Sequence, residues 1–269
     1  MNLSVLVRGS DDLRIFSCLE SIDVADCDVV ATITPNEQIE SELARRGVRY
    51  VITPKGNPAV TTEAGLKLCH FSKVLLMDSD CLFFPGVISR MVELSHEADI
   101  VRPNIDFEAI DFSSYATRLA RNFQYNYLGF VYEPGLLINR DTVIPAVGGY
   151  IFSRFAPHTP DGEFDFRVRK TKLRVKTASE KTIRHVALPF SRHLVSYWRY
   201  GRSEASRMIY LKQDVLRDVL RGLPYRYRNL LSRSYPLATA LIIPVCDIVY
   251  LFSISVHLLF PSRLKEVDR

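Results

Sequence analysis

The sequence has no Cys-x-x-Cys pair, and its five cysteines, Cys18, Cys27, Cys69, Cys81 and Cys246, are scattered and odd in number. Neither a zinc site nor a disulfide framework is expected from that spacing; a reducing compartment is. Glycine is sparse at 12 residues, and the first apolar run leads into Arg8-Gly9-Ser10 rather than a glycine-rich phosphate loop. No internal repeat or low-complexity tract is present, so solenoid and collagen-like architectures are excluded. The apolar run at 3–7 is too short for a secretory leader and meets charge at once, so it reads as a strand. Charge of neither sign dominates. A formal net charge of +5 carries no nucleic-acid footprint, although it suits an acidic substrate or an anionic membrane surface.

Apolar residues are plentiful, at 47% of 269. That is enough for a sizeable core in one α/β domain with an appendage, or in two small domains. Short apolar runs at 3–7, 28–34, 48–52 and 74–77 alternate with helical patterns at 13–22, 39–46 and 61–70. Short links between them predict right-handed βαβ units and a mostly parallel sheet flanked by helices. Beyond residue 105 the rhythm becomes irregular. Residues 134–145 read as a strand and turn, and 172–177 and 182–186 as two late strands.

Asp78-Ser79-Asp80 is the most informative segment, because a buried strand runs straight into two carboxylates. Ligands of parallel α/β sheets bind beyond the carboxyl ends of the strands. Strand alternation sends Asp78 and Asp80 to the same side. Two hard oxygen ligands there suit Mn²⁺ or Mg²⁺, which can bridge a diphosphate. Asp80 is expected on the metal directly, and Asp78 on the metal or the donor ribose. The competing reading is a solvated turn or a helix cap.

Residues 56–90, GNPAVTTEAGLKLCHFSKVLLMDSDCLFFPGVISR, resemble the family-2 glycosyltransferases of the GT-A fold, as does the opening SVLVRGSDDLRIFSCLESI. The segment Gly162-Glu163-Phe164-Asp165-Phe166-Arg167-Val168-Arg169 is similar to that family's acidic motif with a trailing arginine. The resemblance covers roughly 2–205. It implies a GT-A-type, Rossmann-like sheet and a sugar moved, with inversion, from a nucleotide-diphosphate donor to a hydroxyl of a lipid-linked or saccharide acceptor. It puts Glu163 at the catalytic base, with Asp161 and Asp165 as alternatives, and His185 in the metal shell beside Asp80 and Asp78. It sets Arg8, Ser10, Gly56, Asp78 and Arg169 against the donor. Arg202, in the late YWRYGRSEASR segment, would meet a diphosphate or lipid phosphate. Glu163 also reads as a helix-start acid paired with Arg167 or Arg169. In one respect the chain departs from the pattern: the stretch 31–36 has no acid to read the nucleotide base.

Residues 236–260 are almost wholly apolar and about as long as a bilayer span. Asp247 near their middle would cost about 2.5–3.5 kcal/mol in lipid. Thr239, Cys246, Tyr250, Ser253 and His257 fall on one narrow helical stripe. Arg217, Arg221, Arg226, Arg228 and Arg233 precede the segment, and Arg263, Lys265 and Arg269 follow it, so basic flanks on both sides set no orientation. A helix, or a hairpin broken at Pro244, lying in the interface is expected as readily as a span. The expected division is a catalytic domain over 1–210 and a basic, hydrophobic membrane-associating tail over 211–269, at the cytoplasmic face. No nucleic-acid partner is expected. Two other readings remain open: a sugar nucleotidyltransferase, and a catalytically degenerate binding module.

Overall fold

The computed structural model describes residues 2–127, 130–232 and 235–261. In chain order the first elements are β1 (Ser4–Arg8), α1 (Ile15–Glu20), β2 (Asp28–Ile33), α2 (Glu37–Arg45), β3 (Arg49–Ile52), α3 (Pro58–Leu68), β4 (Lys73–Asp78) and β5 (Cys81–Phe83). Then come α4 (Val87–Leu94), β6 (Ile100–Arg102), β7 (Ile105–Glu108), α5 (Phe112–Tyr127), β8 (Leu136–Asn139), α6 (Arg140–Ala146), α7 (Pro160–Val168), β9 (Val175–Thr177) and β10 (Ile183–Val186). Three helices close the chain: α8 (Phe190–Tyr210), α9 (Val215–Ser232) and α10 (Leu237–Leu259).

Seven strands form a sheet in the order β3-β2-β1-β4-β8-β6-β9, and three form a smaller one, β5-β10-β7. The strands β3, β2, β1 and β4 run parallel, as the alternating pattern predicts. Strand β8 is antiparallel to both β4 and β6, a reversal the pattern did not announce. The helices start where local chemistry lets them. Asn36 accepts from the amides of Gln38 and Ile39 while Glu40 reaches back to the Asn36 amide, a reciprocal cap on α2. Asn57 caps α3, with Pro58 in the first turn where no amide is needed. Gly65 lets α3 lie directly on the sheet, because a Cβ there would fall within 2.8 Å of Thr32 and closer still to Leu6.

The chain divides into two compact units. The first holds Met1–Asp106, Phe130–Ser153 and Pro160–Val186; the second holds Phe107–Gly129, Arg154–Thr159 and Ala187–Arg269. The core of the first is built from Leu6, Val30, Val74, Leu76, Ile100, Leu136, Ile138, Phe152 and Phe164. In the second, α10 packs along α8, and Ala120, Phe123, Leu230 and Ile243 form a smaller apolar cluster.

Helix α10 runs unbroken through Pro244, so the expectation of a hairpin is corrected. Its polar stripe faces protein: Thr239, Cys246, Ser253 and His257 are buried. Ser253 donates to the Trp198 carbonyl. Asp247 accepts from the Tyr227 hydroxyl at 2.9 Å and pairs with Arg226 at 3.0 Å, which accounts for an acid in so apolar a helix. Arg233, Arg263, Lys265 and Arg269 lie outside the described residues.

Candidate active site

Strands β1 and β4 are neighbours in register, with Arg8 opposite Asp78 as their last residues. Their side chains therefore meet at the carboxyl edge of the sheet, and Arg8 pairs with Asp78 at 2.5 Å. The same guanidinium pairs with Glu133 at 2.6 Å, donates to Thr62 at 3.1 Å and lies over the Phe152 ring. Glu133 arrives there because β8 reverses direction. Gly135 donates to the Leu76 carbonyl, so the residues just before β8 lie beside the end of β4. Burial pushes the Glu133 carboxyl up to about 8 against the pull of Arg8, and the charges of Asp78 and Asp161 push the same way. The close Arg8 contact favours the anion and complete burial favours the acid. Burial is the larger of the two effects on Glu133.

Asp80 sits in the turn from β4 to β5, half-buried, and Arg14 approaches it at 3.8 Å. Cys81 opens β5 and is fully buried. In the antiparallel β5–β10 ladder His185 is the residue directly opposite Cys81, and cross-strand partners share a face. One ligand atom each from Asp80, Cys81 and His185 lies within 4.8 Å of the others. The His185 Nδ1 donates to the Val186 carbonyl at 2.8 Å, since a carbonyl can only accept. In the neutral ring that leaves Nε2 with a lone pair, the usual arrangement of a metal-binding histidine. Oxygen, nitrogen and sulfur donors so placed fit a divalent cation.

The three acids of α7 have different surroundings. Glu163 is fully buried and accepts from Arg167 Nε and Nη2 at 2.7–3.0 Å. Arg167 also donates to the carbonyls of Val147, Tyr150 and Ile151, so the pair ties α7 to the loop after α6. Asp165, also buried, accepts from the Val131 amide at 2.9 Å and pairs with Arg169 at 2.7 Å. Asp161 is half-buried in the first turn, accepts from the Gly162 amide, and is near enough to Glu133 to raise its pKa.

Ser10 is half-buried in the bend after β1, and Gly56 is exposed in the loop after β3, with a φ of +109° that favours glycine. Lys55 bridges these two loops through Asp11 at 2.9 Å. Arg169 is half exposed, bound to Asp165 and lying over Phe130. Arg202 belongs to α8, in the second unit. The position after β2, where no base-reading acid was found, is given over to capping α2 through Asn36. Sequence reading missed Glu133 and Cys81. An acid directly before the apolar run 136–138 was the signal for Glu133, but only an antiparallel β8 makes it informative. For Cys81 the signal was its place immediately after Asp80.

The second unit has surface features of its own. Leu237, Leu241, Val245, Ile248, Phe252 and Leu259 are exposed along one side of α10. The helix is long and apolar enough to cross a membrane, and 33% of its most apolar window is buried within the protein. An open hollow of about 490 Å³ is lined by Met208, Asp214, Leu216, Arg217, Leu220 and Arg221.

The mixed, mainly parallel sheet flanked by helices is a GT-A-type α/β fold, as the sequence resemblance implied. Among solved structures, S. aureus TarS 1–349 superposes with a TM-score of 0.53 at 13% identity, over 98% of this chain and 92% of that one. The same protein in complex with UDP-GlcNAc gives 0.52 at 11%, with the same coverage. Against S. aureus TarS itself the TM-score is 0.52 at 14% identity, over 78% of this chain and 40% of the TarS chain. At such identities the likeness establishes the fold alone. No protein-family model matches the sequence, and no curated protein does.

Proposed function

We propose that the protein is a nucleotide-sugar-dependent glycosyltransferase. The observation that carries this reading is the meeting of Asp80, Cys81 and His185 beside Asp78 at the carboxyl end of β4. Support comes from the fold, whose similar structures include complexes with UDP and with UDP-GlcNAc. Asp80 and His185, with Asp78 adjoining, would hold a divalent cation such as Mn²⁺ or Mg²⁺. When bound, that cation would neutralise the charge on a departing diphosphate.

The chain's own residues would do the rest. Arg8 is committed to Asp78 and Glu133, so its role is to aim Asp78 rather than to grip the donor. Asp161 is the base: its carboxylate takes the proton of an acceptor hydroxyl as that oxygen attacks the anomeric carbon, with inversion. Glu163 and Asp165 are buried in ion pairs that brace α7, and they hold Asp161 at the helix start. The loops joined by Lys55 and Asp11 would receive the nucleoside. The acceptor is a hydroxyl of a saccharide or lipid-linked sugar. The exposed side of α10 and the arginines of α9 would keep the enzyme at the cytoplasmic face of a membrane.

Thermal shift with UDP-GlcNAc, UDP and GDP, with and without Mn²⁺, tests the reading. At 100 times its Kd a ligand adds about 2.7 kcal/mol of stability. A metal-dependent rise in Tm is expected for a nucleoside diphosphate or its sugar, and Asp80→Asn should remove it. Asp161→Asn should keep the rise and lower turnover by about 10²–10⁴-fold. No metal-dependent shift with any of these compounds would refute the proposal.

A further inference from the structure

We infer that Cys81 is a metal ligand, and that it makes this site prefer a thiophilic divalent cation of the zinc or cobalt class to magnesium. The inference depends on reading Asp80 and His185 as metal ligands, but not on sugar transfer. Three features support it. Cys81 and His185 are register partners across β5 and β10, so the backbone itself holds sulfur and imidazole on one face. The Cys81 thiol already donates to Asp80 Oδ1 at 3.4 Å. That separation is close to the edge of a tetrahedron with metal–ligand bonds of about 2.0–2.3 Å, near 3.5 Å. Finally, donation from Nδ1 to the Val186 carbonyl sets the tautomer of the neutral His185 ring, with the lone pair on Nε2.

Oxygen-only sites suit magnesium, calcium and manganese, whereas a thiolate selects softer ions. An Asp-Cys-His set with an open fourth position is chemically a zinc-type site. On binding, the thiol releases its proton to water and the sulfur lone pair takes its place on the metal; nothing is oxidised or reduced. The scattered cysteines had argued against zinc because metal motifs are recognised by pairs close in sequence. Here the partner comes from 104 residues away, through strand pairing.

Cobalt(II) reports sulfur ligation directly, because a bound thiolate adds a charge-transfer absorption that oxygen and nitrogen ligands lack. Titrating the full chain with Co²⁺ should give that band together with weaker d–d absorption. Cys81→Ser should lose the band and bind Co²⁺ more weakly, by at least the roughly 10–100-fold that loss of an outer-shell partner costs. Its Mg²⁺ affinity should change far less. His185→Gln and Asp80→Asn should each weaken the band with Cys81 in place, and Cys18→Ser, at the other buried thiol nearby, should keep it. Co²⁺ bound through Asp80 and His185 without the charge-transfer band would overturn the inference while leaving the metal site intact. No Co²⁺ binding dependent on Asp80 or His185 would overturn both.

Discussion

Arg8 shows how much of the site rests on a single side chain. Lying between Asp78 and Glu133, it is a fork whose planar geometry serves two acids at once. The same economy governs α7, where Glu163 with Arg167 and Asp165 with Arg169 form two i,i+4 pairs. The buried pair is structural, which separates two mutations that look alike on paper. Glu163→Ala would leave Arg167 without its counter-charge against three carbonyls and should cost about 3–5 kcal/mol, seen as a fall in Tm and in the urea midpoint. Asp161→Asn should leave both within error and strike turnover alone. A stable Glu163→Ala protein that had lost only turnover would return the base to Glu163. The acidic motif alone drew attention to α7 but did not say which of its acids is buried. A helix rotates by about 100° per residue, so burial of each acid depends on the face that packs.

At the scale of elements, small residues decide how closely helices approach. A Cβ on Gly201 of α8 would run into the Tyr250 carbonyl and lie 2.6 Å from the Ser253 Cβ on α10. Backbone cannot rotate away as a side chain can. Gly201→Ala should therefore push α10 off α8, at a cost of about 1–3 kcal/mol in spite of alanine's better helix propensity. Chemical denaturation would register it, and an unchanged or raised midpoint would show that the two helices can separate freely. The polar stripe of α10 was legible as a stripe, but that it faces protein was not. Nor were the two partners of Asp247 on α9, Arg226 and Tyr227, legible, because nothing in a local pattern says which neighbouring helix the stripe packs against.

For the whole molecule, the open question is where α10 holds it. The helix contributes buried residues to the second unit, so deleting it would uncover Gly201, Trp198 and Phe123, and aggregation of the truncated chain would mean nothing. The exposed side is the cleaner target. The full chain should sediment with vesicles containing phosphatidylglycerol. Leu241→Glu with Ile248→Glu should release it, while the Arg226–Asp247 pair keeps the helix in place. Replacing Arg217 and Arg221 by glutamine should weaken binding by about 1 kcal/mol each, and less at high salt. Monodisperse full-length protein that ignores such vesicles would rule out membrane attachment and leave the first-unit site untouched.

The sequence by itself determined what local periodicity can carry. It settled the alternation of strands and helices over the first four strands, and their parallel run, from short apolar runs and helical spacing. It also placed Asp78 and Asp80 at a strand end and the apolar stretch that became α10. Each depends on neighbours a few residues apart, where sterics and hydrogen bonding act directly. Only the tertiary structure decided the reversal of β8 that buries Glu133 against Arg8. It alone paired β5 with β10 to set His185 opposite Cys81, and turned α7 so that Glu163 and Asp165 are buried and Asp161 is not. These are matters of register and helical phase, where a slip of one residue sends a side chain to the opposite face. Such choices are made by packing between distant segments, and no short window of sequence contains them.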